Sequence, residues 1–176
     1  MQTKITTFFQ KNTLDKTDIK IIKNNKKNPI YIYTDGACKN NGKKNAIAGI
    51  GVYIKDICDI SERIKGKQTN QRAELYAILK ALESINIKEY NPIYIYTDSQ
   101  YSINCITKWI YGWLNNGWLD KKKHPIKNKD IIQSIYNIYK NYSYINFIHI
   151  EAHTNKTDIH SLGNAKADYL ATNSIK

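Results

Sequence analysis

Two acidic residues of the chain close nearly the same segment, Tyr33-Thr34-Asp35-Gly36 and Tyr96-Thr97-Asp98-Ser99. Each follows a run of β-branched and aromatic residues, Ile30-Tyr31-Ile32-Tyr33-Thr34 and Ile93-Tyr94-Ile95-Tyr96-Thr97, that reads as a strand. Both aspartates are therefore expected where a strand stops, and in an open α/β sheet that rim is where ligands bind. Carboxylates gathered at such a rim offer the oxygen donors that a hard divalent cation takes. Two further acids lie on helix-forming sequence: Glu74, one turn into a long apolar-periodic stretch, and Asp168, within Ala165-Lys166-Ala167-Asp168-Tyr169-Leu170-Ala171. Taken singly, each of the four reads as readily as the solvated side of its own element.

A second segment is aromatic and basic. All three tryptophans fall between Trp109 and Trp118, in Trp109-Ile110-Tyr111-Gly112-Trp113-Leu114-Asn115-Asn116-Gly117-Trp118, and Lys121-Lys122-Lys123 follow. From Lys108 to Lys129 there are six Lys against one Asp. Aromatic platforms beside cations suit a nucleic-acid strand, although tryptophan is equally a core residue. The net charge of +12 on 176 residues points the same way, because each lysine placed on a phosphate releases a condensed counterion. Solubility, or a Lys-, Asn- and Ile-rich composition inherited from an AT-rich genome, would produce the same surplus.

The elements that must position these groups fit one domain of mixed α/β type. Residues 10–28 are polar and Lys/Asn-rich and read as a flexible tether. The folded domain is expected to run from Pro29 to the end of the chain, residues 29–176. Its first strand is followed by Gly49–Ile54 and roughly Ile60–Ile64, with Asn40-Asn41-Gly42 as turn chemistry, so a three-stranded antiparallel meander is expected. Apolar residues at helical spacing predict a helix over 70–87, then a strand over 93–97. Asp98-Ser99 can cap a helix running to about Gly112. A helix over 130–139, a strand over 144–150 and a last helix from about Gly163 complete the series. Three cysteines without paired spacing argue against a disulfide framework and for a reducing compartment. No apolar run approaches the ~18 residues that a membrane span needs, so a soluble, intracellular protein without membrane association is expected.

Four blocks of this sequence, Tyr33-Thr34-Asp35-Gly36-Ala37-Cys38, Thr69-Asn70-Gln71-Arg72-Ala73-Glu74-Leu75, Tyr96-Thr97-Asp98-Ser99 and Gly163-Asn164-Ala165-Lys166-Ala167-Asp168, resemble the signature blocks of type 1 ribonuclease H in order and approximate spacing. The resemblance extends from about residue 30 to 173. It implies a ribonuclease H-like α/β fold, a five-stranded mixed sheet flanked by helices on both faces, and a monomer that hydrolyses the RNA strand of RNA/DNA hybrids in replication or repair. It implies that Asp35, Glu74, Asp98 and Asp168 hold two Mg²⁺ ions, with Mn²⁺ as a substitute. His153, in Glu151-Ala152-His153-Thr154, matches the family histidine associated with proton transfer or product release, as the near-neutral titration of the side chain suits. The family commonly has Gly before this histidine and a shorter loop after it. Here Ala152 precedes it, and residues 155–162 lengthen the loop and bring in His160 as a second candidate.

By the same resemblance the Trp/Lys segment is the basic protrusion of cellular members. Tyr101, Trp109 and Trp113 would line a DNA channel, Lys67, Thr69 and Asn128 would hold a DNA phosphate, and Asn41, Asn70 and Gln71 would sense RNA 2′-hydroxyls. Asn41 precedes Gly42 and is also ordinary turn chemistry.

At the amino terminus, Gln2-Thr3-Lys4-Ile5-Thr6-Thr7-Phe8-Phe9 has the spacing Q-x-x-I-x-x-F-F. In a short helical turn Ile5, Phe8 and Phe9 share one face and can plug an apolar pocket. The segment resembles the peptide by which replication proteins dock on a PCNA-type sliding clamp, so Gln2, Ile5, Phe8 and Phe9 are the expected contacts. This segment is too short for the separate hybrid-binding domain of many eukaryotic relatives. The reading places the protein in the nucleus or in a viral replication compartment of the cytoplasm.

Overall fold

Alternation along the strands sets the architecture, because successive side chains of a strand point to opposite faces. In β1 (Asn28–Lys39), Ile30, Ile32 and Thr34 turn to one face, and Tyr31, Tyr33 and Asp35 to the other. β1 pairs antiparallel with β2 (Ile47–Ile54), which pairs antiparallel with β3 (Cys58–Arg63). This is the expected meander. β4 (Tyr90–Thr97) runs parallel to β1, and β5 (Ile145–His149) parallel to β4, giving a mixed sheet of order β3-β2-β1-β4-β5. The structure, a computed structural model, describes residues 27–152, 154 and 156–176. The amino-terminal motif and His153 lie outside them.

One face of the sheet is covered by α1 (Asn70–Glu83) and, beyond it, α4 (Lys129–Tyr139). Their apolar stripes meet the inward residues of β1, β2 and β4 in a core built on Ile32, Val52, Leu75, Ile78, Leu82, Ile95, Ile132 and Ile135. The opposite face of β1 and β2 carries α5 (Ile159–Asn173). Between β4 and α4 the expected single helix is three pieces: α2 (Gln100–Asn104), capped by the Ser99 hydroxyl, a π-helical turn over Cys105–Trp109, and α3 (Ile110–Asn115). Trp118 adopts φ 65° and is buried in the main core. It is a packing residue of the basic segment and not a strand-facing platform.

Of the boundaries that differ from the sequence reading, two bear on the acids. β1 does not stop at Asp35-Gly36 but continues to Lys39, because Asp35 to Lys39 pair with Gly51 to Ile47 of β2. What ends there is the pairing with β4, whose last partners are Thr34 and Thr97. Likewise α5 begins at Ile159, not Gly163. Asp158 caps it, its carboxylate accepting from the backbone N–H groups of His160 and Ser161 at 3.0 and 3.1 Å.

Glycines set how closely the layers approach. A Cβ on Gly36 would lie 2.3 Å from the Glu74 nitrogen, and one on Gly51 2.0 Å from the Ala167 carbonyl. The first seats α1 on β1, and the second seats α5 on β2. Gly36→Ala is accordingly expected to destabilise the fold by about 1–3 kcal/mol through forced backbone movement, measured as a lower urea midpoint at unchanged slope.

Candidate metal centre and nucleic-acid face

The four acids of the sequence reading arrive from four elements. Asp35 lies on β1 at the point where β4 parts from it, Asp98 just past the end of β4, Glu74 in the second turn of α1, and Asp168 on α5. Glu74 can reach Asp35 because Gly36 lets the α1 backbone sit directly on the strand. Carboxylate oxygens of Asp35, Glu74 and Asp98 all fall within 4.8 Å of one another. Asp168 stands close enough for its charge to raise the Asp35 carboxyl, and with Asp98, Ser161 and Asn164 it lines a cavity of about 40 Å³.

The electrostatics follow from burial and crowding. Asp35 and Glu74 are each 6% exposed. Burial, then the charges of Asp98 and Asp168, push the Asp35 carboxyl up to about 7, against the pull of the Gly36 N–H. Glu74 is pushed well above the ordinary carboxylate range, by burial first and then by Asp35 and Asp98. Glu74 Oε2 and Asn164 Oδ1 are buried with no hydrogen-bond partner among the described residues. Orphaned buried oxygens in a cluster of acids are costly unless a cation satisfies them. The donor set is all oxygen, which fits a hard divalent ion.

Asn164 escaped the sequence reading. It stands one helical turn before Asp168, on the same face of α5, and that spacing was the signal that pointed to it. His149, at the end of β5, sets its Nε2 3.1 Å from the Asp98 carbonyl oxygen. His160, the alternative histidine, lies instead against Tyr33 and Tyr96 on the α5 side of the sheet.

Around this centre the remaining sequence candidates form a connected edge. The Asn41 side-chain oxygen accepts from the Asn70 N–H at 3.3 Å, and the Asn70 amide donates to Glu74 Oε1 at 3.5 Å. The β1–β2 turn is thus tied to the acidic cluster. Thr69 caps α1 by accepting from the Arg72 N–H, and Lys67 is exposed two residues earlier. Asn128, in the left-handed region at φ 59°, accepts from Arg72 at 3.5 Å and hydrogen-bonds Tyr101. Arg72 also holds Asp130 at 3.0 and 2.5 Å, so it joins the start of α1 to the start of α4, a link absent from the sequence reading.

Tyr101 meets Trp109 edge-on at 6.0 Å, and Trp109 meets Trp113 at 5.9 Å. With Gln71, Lys127 and His124 these rings line a cavity of about 430 Å³. Trp109 remains 42% exposed while Trp118 is 8% exposed, so the tryptophans divide into surface and core. Among the described residues no helix is long and apolar enough to cross a membrane.

The model of the RNase H family matches residues 27–176. The chain is 45% identical over 142 residues to a probable ribonuclease H of Acanthamoeba polyphaga mimivirus, covering 77% of this chain and 62% of that protein. It is 36% identical over 149 residues to ribonuclease H1 of Homo sapiens, covering 84% of this chain and 50% of the human protein. Ribonuclease H of Francisella philomiragia is 36% identical over 153 residues, with coverage of 85% and 93%. The chain therefore spans about half to two thirds of the first two relatives' length. Among solved structures, the PFV RNase H domain superposes with a TM-score of 0.68 at 29% identity, covering 83% of this chain and 93% of that one. LC11-RNase H1 in complex with RNA/DNA hybrid superposes with a TM-score of 0.56 at 26% identity, covering 83% and 96%. The family model, the identity to ribonucleases H and the superposition on an RNase H domain agree, and the chain belongs to the RNase H family.

Proposed function

We propose that this protein is an endoribonuclease that hydrolyses the RNA strand of RNA/DNA hybrids, with Asp35, Glu74, Asp98 and Asp168 holding two Mg²⁺ ions. The observation that carries this reading is the convergence of three carboxylates within 4.8 Å around a buried, unpartnered Glu74 oxygen. Bound divalent ions supply a nucleophilic water and charge stabilisation at the leaving oxygen. The chain's own residues do the rest. Gly36 donates to the Asp35 and Glu74 carboxylates and holds them in place. Asn70 orients Glu74 from the side of the site where the RNA sugar would lie. His153 serves proton transfer or product release. Mn²⁺ substitutes for Mg²⁺, since both accept an all-oxygen donor set.

The substrate runs from this centre across Asn41, Asn70 and Gln71, which sense 2′-hydroxyls, to Tyr101, Trp109 and Trp113 on the DNA strand. Lys67, Thr69 and Asn128 take a DNA phosphate. These groups address sugar and phosphate, so cleavage is expected to be nearly indifferent to base sequence. The test offers labelled RNA/DNA hybrid, duplex RNA, duplex DNA and a DNA junction, with Mg²⁺ or EDTA. Cutting of the RNA strand of the hybrid alone, and only with Mg²⁺, is the expected outcome; Mg²⁺-independent cutting or a cut DNA strand would overturn it. Replacing Lys121, Lys122 and Lys123 together with Ala should weaken hybrid binding uniformly across sequences. It should also flatten the dependence of log K on log salt by roughly 2–3 if all three meet phosphates, as filter binding at several salt concentrations would show.

Within the same proposal, residues 29–176 form the catalytic domain of a monomer, and residues 1–28 carry the clamp-docking segment. The Q-x-x-I-x-x-F-F spacing of Gln2, Ile5, Phe8 and Phe9 supports this, and clamp docking would go with work in replication or repair, in a nucleus or a viral replication compartment. Phe8→Ala with Phe9→Ala should abolish calorimetric binding to a PCNA-type clamp and leave hybrid cleavage intact.

A further inference from the structure

His160 stands outside the carboxylate cluster yet touches both strands that feed it. Its ring stacks on Tyr96 with centroids 4.4 Å apart and planes 21° from parallel. Its Nδ1 lies 3.0 Å from the Tyr33 hydroxyl, a hydrogen bond. Tyr33 is two residues before Asp35 within β1, so by strand alternation the two share a sheet face, and Tyr96 is two residues before Asp98, which follows the last residue of β4. His160 thus rests on the strand residues that lead into two of the four acids.

On its own element, His160 opens a stripe at four-residue spacing: His160, Asn164 and Asp168 follow one another along one face of α5. Between His160 and Asp168 the helix rises ~12 Å. Gly51 against Ala167 and Ala171, the Ser61 hydroxyl on the Leu170 carbonyl at 2.7 Å and Lys166 on Asp59 at 3.1 Å seat the middle and the later turns of α5 on β2 and β3. The first turn, ahead of all of these, is held separately. There the Tyr33 ring occupies the space a Cβ on Gly163 would fill, at 2.5 Å, and the Tyr33 hydroxyl reaches His160. Asp158 caps the same turn, but its carboxylate accepts from the backbone N–H groups of His160 and Ser161 and from the Ser161 hydroxyl, so the cap does not tie the helix to the sheet. His160 does.

We propose that His160 is a positioning residue: by clamping the first turn of α5 to Tyr33 and Tyr96 it sets where Asn164 and Asp168 stand against Asp35 and Asp98, and thereby the divalent-ion affinity of the site. The inference rests on the metal-centre reading. It assigns the second candidate histidine, which lies in the first turn of α5, a role in holding the helix and none in contact with substrate.

The test uses the full chain and compares wild type, His160→Ala, His160→Phe and Tyr33→Phe. Mn²⁺ binding is measured by calorimetry without nucleic acid, and hybrid cleavage is measured against Mn²⁺ concentration. Groups that orient ligands cost ~10–100-fold in metal affinity when lost. His160→Ala is expected at the low end, about tenfold weaker, with an unchanged KM for hybrid and kcat recovered at saturating Mn²⁺. His160→Phe keeps the stack on Tyr96 and should restore part of the affinity; Tyr33→Phe removes only the hydrogen bond and should lose a smaller part. If His160→Ala does not fold, the Phe variants still decide, since each removes the hydrogen bond and both must bind Mn²⁺ more weakly than wild type. Wild-type Mn²⁺ affinity in the variants, or a raised KM for hybrid in its place, overturns the positioning role alone. A wild-type chain that neither binds Mn²⁺ nor cuts hybrid overturns the metal-centre reading beneath it.

Discussion

Asp35→Asn is expected to abolish hybrid cleavage while leaving a folded protein that is at least as stable as the wild type at pH 8 in EDTA. Asp35 is the acid on which the others converge: the charges of Asp98 and Asp168 both act on it. Losing that ligand removes the interaction that would place a divalent ion against the scissile phosphate, worth several kcal/mol in the transition state. A loss of ~4 kcal/mol is about 10³-fold in kcat. Stability moves the other way, because the carboxylate is buried among like charges and its neutral isostere relieves them. The Asn side-chain oxygen can still accept from the Gly36 N–H, so the local backbone has no reason to shift. Glu74 loses one of the charges that raise it, and its own burial becomes easier. Single-turnover cleavage with saturating Mg²⁺, beside thermal melts in EDTA, measures both halves. Undiminished cleavage would remove Asp35 from the metal centre. Cleavage lost together with the fold would show that the residue is structural.

That Asp35 meets other acids was legible in the sequence; its position in the strand was not. Ile30 to Thr34 are strand formers by composition, and the reading stopped where they stop. Gly36, Ala37, Cys38 and Lys39 have no such preference and are held extended by pairing with β2, a tertiary effect that local propensity does not carry. Gly163 misled in a similar way, suggesting the end of a loop. A glycine is tolerated there inside α5 because the Tyr33 ring fills the space of its Cβ. The cap that does start the helix, Asp158 with Ser161 three residues on, is a short-range signal present in the sequence and overlooked beside the glycine. The Trp segment could not be resolved without coordinates. Its three rings are chemically alike, and only the left-handed turn at Trp118 buries one and leaves Trp109 outside. By contrast, Glu74 sits in a block whose neighbour Asn70 bonds it, and it packs on Gly36 of the first block.

In EDTA the protein should lose stability as pH rises from about 4 to 8, and divalent ion should return that stability at pH 8 but not at pH 5. In the fold the Asp35 carboxyl is raised to about 7 and Glu74 is raised well above its ordinary value, whereas in the unfolded chain both ionise near pH 4. Between those limits the native state binds more protons than the unfolded state, so stability falls with increasing pH through that window. Groups shifted the other way act elsewhere. Arg72 lowers the Asp130 carboxyl, first by hydrogen bonding and then by charge, so the stability that pair adds is present above pH ~4 and is lost only as pH falls below it. The two windows do not overlap. The Asp35 contribution is on the order of 2–4 kcal/mol, or roughly 5–15 °C in Tm for a domain of this size. Binding of divalent ion requires the ionised carboxylates, so Mg²⁺ at pH 8 cancels the repulsion that the high pH creates, while at pH 5 protons hold the same oxygens. Thermal melts at pH 5 and pH 8, with EDTA or Mg²⁺, give four midpoints, of which pH 8 in EDTA should be the lowest. Asp35→Asn should compress the spread among them, because one of the two raised carboxyls is gone and the other loses a like charge beside it. A wild-type melting temperature independent of pH and of Mg²⁺ would mean that the clustered acids neither repel one another nor bind the ion, and the case for a metal centre would fall with it.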